Sequence, residues 1–220
     1  MKKLKALVKL DFELVKPYWK WLALFFGISL LMSLANQDGG LFILFIAMFA
    51  MTMMAFPFEV TDKSNLNVLF ATLPTNRKSM IVARYLFVLA SLAISMIVAI
   101  PIGIIIHVAF GNTISFSAFA VITFFSIAVF FISVGIQTPF MYKHGYTKGR
   151  IFMWIPLIVF IIVFNLPGIF DLLNANVDFN LFEILFRNHL VSILVSLGVG
   201  IAAITSSYFV SRRFYLKKDF

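Results

Sequence analysis

Glu59-Val-Thr-Asp-Lys-Ser-Asn-Leu-Asn-Val-Leu-Phe-Ala-Thr-Leu-Pro-Thr-Asn-Arg-Lys78 is the stretch whose reading decides the fold. It lies between two long apolar runs, and further apolar runs follow. A polar insert of this length has to leave a bilayer, because lipid offers its charges and amides no partners. Leu66, Leu69, Phe70 and Leu73 recur within it at helical spacing, which predicts a short amphipathic helix. Pro74 limits that helix, and Arg77, Lys78 and Arg84 come before the next apolar run. Basic residues beside a span mark its cytoplasmic end. The stretch therefore reads as an intracellular contact element, with a helix resting on lipid headgroups as the simpler alternative.

Outward from this stretch, composition sets the class. Of 220 residues, 62% are hydrophobic and 12% charged, and mean hydropathy is +1.02. Soluble domains carry nearer half apolar and a quarter charged residues. The chain is an all-α, polytopic membrane protein on this reading, with six predicted spans near 18–35, 41–58, 82–107, 116–138, 151–166 and 189–210. Pro57 is expected to close the second, and Pro101 and Pro156 fall in the third and fifth. Asn36-Gln-Asp-Gly-Gly40 reads as a tight polar turn, and Met141–Arg150 as a second basic, turn-rich loop. Residues 1–17 form a predicted N-terminal amphipathic helix lying in the membrane surface, its lysines among anionic headgroups. They read as a retained segment rather than a cleaved signal. Tyr18, Trp19 and Trp21 follow as interfacial anchors.

The net charge of +9 could suggest nucleic acid, but the cations cluster at the ends of apolar runs. With six spans threaded, all but Arg187 of the 18 Lys and Arg fall on the side of the termini. Both termini are therefore expected in the cytoplasm of a cell-membrane protein, with no nucleic-acid partner. Asp171, Asp178 and Glu183 fall on the outer face in 167–187, a stretch too polar for a span and too oily for a free loop. They either attract a cationic ligand or solvate a cap.

Chemistry-bearing motifs are few. There is no cysteine, no GxxxxGK[ST] loop and no HExxH pair. Gly145-Tyr-Thr-Lys-Gly149 lacks both the spacing and the preceding strand of a phosphate loop. His107, His144 and His189 stand far apart near span ends, and Met48, Met51, Met53 and Met54 read as packing. No ionisable residue is predicted in mid-membrane, which speaks against a proton-driven carrier. Ser29, Ser33, Ser126, Ser133, Thr205 and Ser206 read as local hydrogen bonding within helices, and Gly135, Gly198 and Gly200 as close helix approach. No catalytic, cofactor or metal site is assigned. A carrier or channel, and a non-transporting assembly protein, are the alternatives to a transporter powered from outside the chain.

Over essentially its whole length the chain resembles the permease subunit of a bacterial ABC-2 type exporter in its compact, six-span form. Three segments carry the resemblance: the basic entry Lys2–Pro17, the loop with Glu59, Asp62, Asn65, Leu69, Leu73, Pro74, Arg77 and Lys78, and the tail Tyr208–Asp219. The resemblance implies an ABC-2 (type V exporter-like) permease fold, with residues 18–220 as the transmembrane domain and 59–81 as a coupling-helix loop. It implies that Glu59, Asp62, Asn65, Leu66, Leu69, Phe70, Leu73 and Arg77 meet a separate pair of ABC ATPase subunits, which hold the ATP and Mg. It further implies a second permease subunit as partner. Similarity to permeases that export phenol-soluble modulins implies an amphipathic peptide substrate. A substantial extracellular domain, found in larger ABC-2 permeases, is lacking.

Overall fold

The computed structural model describes residues 2–64, 77–111, 116–149, 158 and 188–216. All regular structure among them is helical: α1 Lys2–Val15, a 3₁₀ turn Lys16–Tyr18, α2 Trp19–Ala35, α3 Gly39–Met53, α4 Ala55–Lys63, α5 Arg77–Ala109, α6 Phe116–Gly149 and α7 His189–Leu216. Among the described residues, five stretches are long and apolar enough to cross a membrane: Leu4–Ala35, Gly39–Lys63, Lys78–Ala109, Phe116–Gly149 and His189–Leu216. The predicted fifth span at 151–166 and the 167–187 stretch lie outside the described residues.

α3 is the most enclosed helix, packed against α2, α5 and α6, while α7 runs along α6 and α1 lies on α5. Phe42, Phe87 and Phe130 are fully buried at the centre. α2 and α7 turn apolar side chains outward, among them Leu24, Leu31, Leu190, Leu194 and Phe209. In water such faces would drive aggregation, whereas in lipid they are the expected exterior.

α5 has 33 residues and α6 has 34. At about 1.5 Å per residue α5 is about 50 Å long and α6 about 44 Å to its break at Gly145, both beyond a hydrocarbon core of about 30 Å. Both therefore project beyond the apolar layer, and the basic residues ride on the projecting turns. The structure here corrects several boundaries. Pro57 does not close the second span: it is the third residue of α4, where its missing N–H would have no intrahelical partner anyway. Glu59 and Asp62 accordingly sit on a helix that continues α3 after one turn residue, Met54. Gly39 and Gly40 belong to α3 rather than to the preceding turn. Residues 141–149, expected as a loop, are the end of α6, which passes Pro139 and breaks its helical geometry at Gly145. α5 starts at Arg77 and α7 reaches Leu216, so Arg77, Lys78, Arg212 and Arg213 are helical rather than in a loop and a tail, and Lys217 and Lys218 lie outside the described residues.

At the end of the bundle away from the termini, α3 and α5 meet backbone to backbone. A Cβ built on Gly39 would lie 1.8 Å from the Gly103 carbonyl oxygen. Asp38 caps α3, its Oδ1 accepting from the Gly40 N–H at 2.8 Å, and His107 Nδ1 lies 3.8 Å from the same oxygen. The local hydrogen bonds expected of the span serines and threonines are present: Ser29, Ser126, Ser133, Thr205 and Ser206 donate to the carbonyl four residues back at 2.7–2.8 Å. Ser33 instead reaches forward to the Asp38 carbonyl and closes the α2–α3 turn. Gly135 packs against Ala203 and Gly200 against Ala128 and Phe131, but Gly198 meets open space rather than a helix.

Candidate functional site

At the basic end, α4 and α5 bracket residues 65–76, and the side chains around their ends form one connected cluster. Its centre is Arg84, two turns into α5. Rather than facing solvent beside the span, Arg84 is 8% exposed and its Nε lies 3.3 Å from Oδ2 of Asp11, itself 4% exposed. The guanidinium also stands 4.3 Å over the ring of Phe58 on α4. Arg84 Nη1 is buried without a hydrogen-bond partner among the described residues, so the ring face supplies its remaining stabilisation. One side chain thus joins α1, α4 and α5. Neither charge could stay buried alone: removing one partner of such a pair costs about 3–5 kcal/mol.

The cluster continues through aromatic edges. Phe58 meets Tyr142 of α6 at 5.0 Å between ring centres, and Tyr142 meets Tyr215 of α7 at 5.2 Å. The Tyr215 hydroxyl reaches back to Met80 Sδ of α5 at 3.6 Å. One turn further into the bundle, the Tyr85 hydroxyl is 2.7 Å from Ser207 Oγ and 3.0 Å from Ser211 Oγ. These contacts satisfy three buried hydroxyls that would otherwise face an apolar core.

α4 and α6 are tied a second time. The Asp62 carboxylate accepts the backbone N–H of Tyr146, the first residue past the break in α6. Gly145 has φ 73° and ψ 176°, a conformation essentially reserved for glycine, and a Cβ there would come 2.7 Å from Asp62 Oδ2. The Gly145-Tyr146 pair is therefore fitted to the carboxylate in front of it. Glu59, one turn before Asp62, forms an ion pair with Lys63 at 2.5 Å.

Of the residues singled out in the sequence, Glu59 and Asp62 come together on α4, and both are engaged within the chain. Arg77 opens α5. Asn65, Leu66, Leu69, Phe70 and Leu73 lie outside the described residues, as do Asp171, Asp178 and Glu183. Sequence reasoning missed Asp11, Phe58, Tyr85, Tyr142, Ser207, Ser211 and Tyr215, and treated Arg84 as a surface cation. One signal was present: Asp11 lies four residues from both Leu7 and Val15, an acid on the apolar face of α1. Among the described residues no three His, Asp or Glu side chains gather as metal ligands.

The geometry is that of a joint: buried, specific, and placed where a polar segment is strung between two helices. The family model described as "ABC-2 family transporter protein" matches residues 6–216. The chain belongs to the ABC-2 transporter family. It is thus the membrane subunit of an ABC transporter, a multi-pass permease that works with an ABC ATPase subunit rather than being the ATPase. No curated protein and no solved structure shows a significant match to this permease.

Proposed function

We propose that this permease is the transmembrane half of an ATP-driven exporter for an amphipathic or hydrophobic substrate, with a cytolytic or antimicrobial peptide as the favoured class. The observation that carries the reading is the Asp11–Arg84–Phe58 joint, which ties α1 to the two helices that flank residues 65–76 about two turns from where they enter that stretch. A displacement of α4 or α5 at this end would pass through the joint into α1. The excess of Lys and Arg at the basic end supports its facing the cytoplasm. Residues 62–77 dock on the partner ATPase through Leu66, Leu69, Phe70 and Leu73, with Glu59, Asp62, Asn65 and Arg77 framing the contact. ATP and Mg act on that partner, and its closure shifts the permease between two arrangements. A second permease subunit, identical or a sister chain, completes the pathway. The outward apolar faces of α2 and α7 suit a substrate that enters sideways from the leaflet, and Asp171, Asp178 and Glu183 flank its release.

The test is transport in proteoliposomes that contain the permease with its cognate ATPase. Peptide efflux that needs ATP and persists when ion gradients are collapsed is the expected result. Efflux driven by an ion gradient without the ATPase would point to a carrier, and no efflux of any amphipathic peptide would point to an assembly role. Orientation has its own check, because the chain lacks cysteine. Cysteines placed at the exposed positions Ser64, Thr147 and Arg213 should resist an impermeant reagent in intact cells and react after permeabilisation, and one at Asp38 should react from outside.

A further inference from the structure

α1 carries two parallel rows of side chains. Leu4, Val8 and Phe12 recur every four residues, and Lys5 and Lys9 form a second row one residue round the helix. The apolar row and Leu86 and Ala90 of α5 enclose an open groove of about 450 Å³, with Lys5 and Lys9 at its rim. Both lysines are exposed, and no salt bridge within 4 Å engages either among the described residues. Glu13, the acid one turn beyond Lys9, is held by Lys16 at 2.6 Å. Trp19 and Trp21, 63% and 55% exposed just after α1, are the residue type that settles at headgroup depth. An apolar trough with two exposed cations beside it at that depth, Lys9 only partly offset by the Glu13 charge it shares with Lys16, is complementary to a lipid with a charged head.

We propose that the α1–α5 groove seats an anionic phospholipid, one acyl chain along Leu4, Val8, Phe12, Leu86 and Ala90 and its phosphate at Lys5 and Lys9. A second copy of the chain is a poorer occupant, because a twofold contact would set this lysine pair against itself. Phe12 also meets Phe87 at 4.9 Å between ring centres, edge to face. A seated lipid would therefore press on the same α1–α5 contact that Asp11 and Arg84 hold from the buried side, coupling the joint to the composition of the leaflet. This goes beyond the transport reading and depends only on the chain being in a membrane.

The full-length chain in detergent, given an equimolar mixture of phosphatidylglycerol and phosphatidylcholine, is read by native mass spectrometry. Phosphatidylglycerol adducts should exceed phosphatidylcholine adducts by up to about thirtyfold, given two lysines at the headgroup. Lys5→Gln with Lys9→Gln should bring that ratio near one, and Lys143→Gln with Lys148→Gln should leave it unchanged. Ala90→Phe, which fills the groove from α5 without altering charge, should lower both adducts. Glycerol 3-phosphate should not compete, since a bare phosphate makes no use of the trough. Equal binding of the two lipids, a ratio unmoved by the lysine changes, or adducts undiminished by Ala90→Phe would each overturn the proposal. Competition by glycerol 3-phosphate would reduce the site to a phosphate contact, and cross-linking of Lys5 to a second copy would hand the groove to a dimer.

Discussion

At the basic end of the bundle, α1, α4, α5, α6 and α7 are joined by side chains: Asp11 to Arg84, Arg84 over Phe58, Phe58 to Tyr142, Tyr142 to Tyr215, and Asp62 to the Tyr146 N–H. At the opposite end α3 and α5 are joined by their backbones, with nothing between Gly39 and Gly103. Contacts of the first kind are directional and can be exchanged for others as helices shift. A backbone contact only fits or clashes. The contrast sets two kinds of contact at the two ends: the glycine contact keeps α3 and α5 in close proximity, and the charged and aromatic joint, on the proposed function, is where a partner's push would act. Both also rest on small numbers of residues, so each can be broken singly.

The largest effect should come from Asp11→Ala, which leaves Arg84 buried and uncompensated. A loss of about 3–5 kcal/mol is expected, read as a lower melting temperature in detergent and reduced membrane level. Asp11→Leu combined with Arg84→Met should recover much of that stability while leaving transport impaired, because the packing is restored and the joint is not. Recovery of full transport in the double variant would show that the ion pair is merely structural.

Gly39→Ala tests the other end. Its added methyl runs into the Gly103 carbonyl, and α3 and α5 must part at a cost of about 1–3 kcal/mol. Stability should fall while ATPase association, measured by pull-down, is unchanged. A variant as stable as wild type would remove the backbone contact from the comparison.

Gly145→Ala should cost about 1–3 kcal/mol from backbone strain and crowding against Asp62. Asp62→Ala should cost about 1.5–3 kcal/mol, the usual value of a hydrogen bond to a charged group. Once Asp62 is absent, Gly145→Ala should cost less than it does alone, and a double-mutant cycle reads that coupling. Strict additivity would mean that Asp62 and Gly145 do not act as a unit.

Five of the six expected spans were legible because lipid filters composition so strongly that hydropathy alone locates them; the one expected at 151–166 lies outside the described residues. Their limits were not, since helix geometry tolerates what sequence rules treat as stops. Pro57 sits where its nitrogen needs no partner, and Lys143 and Lys148 ride on a helix that has already left the apolar layer. The joint was hidden for another reason. Asp11 and Arg84 stand 73 positions apart, and only the packing of α1 on α5 makes them neighbours. Asp11 on the apolar face of α1 was a visible anomaly whose partner the sequence could not name. Tyr85 with Ser207 and Ser211 had no local signal, because each residue alone is ordinary in a membrane helix.

The central claim is that the segment strung between α4 and α5 is where the ATPase docks. Replacing Leu69 and Phe70 together by Ser tests it with the least disturbance, since neither lies in α4 or α5. The permease and its cognate ATPase are co-purified in detergent at matched permease expression, and ATPase recovery is compared for wild type and Leu69→Ser/Phe70→Ser. Docking predicts that recovery falls with a loss of about 2–4 kcal/mol of association, as for apolar anchors at other interfaces, and that transport falls with it. Equal recovery of the ATPase with both proteins would contradict docking there and leave the segment as a helix resting on lipid.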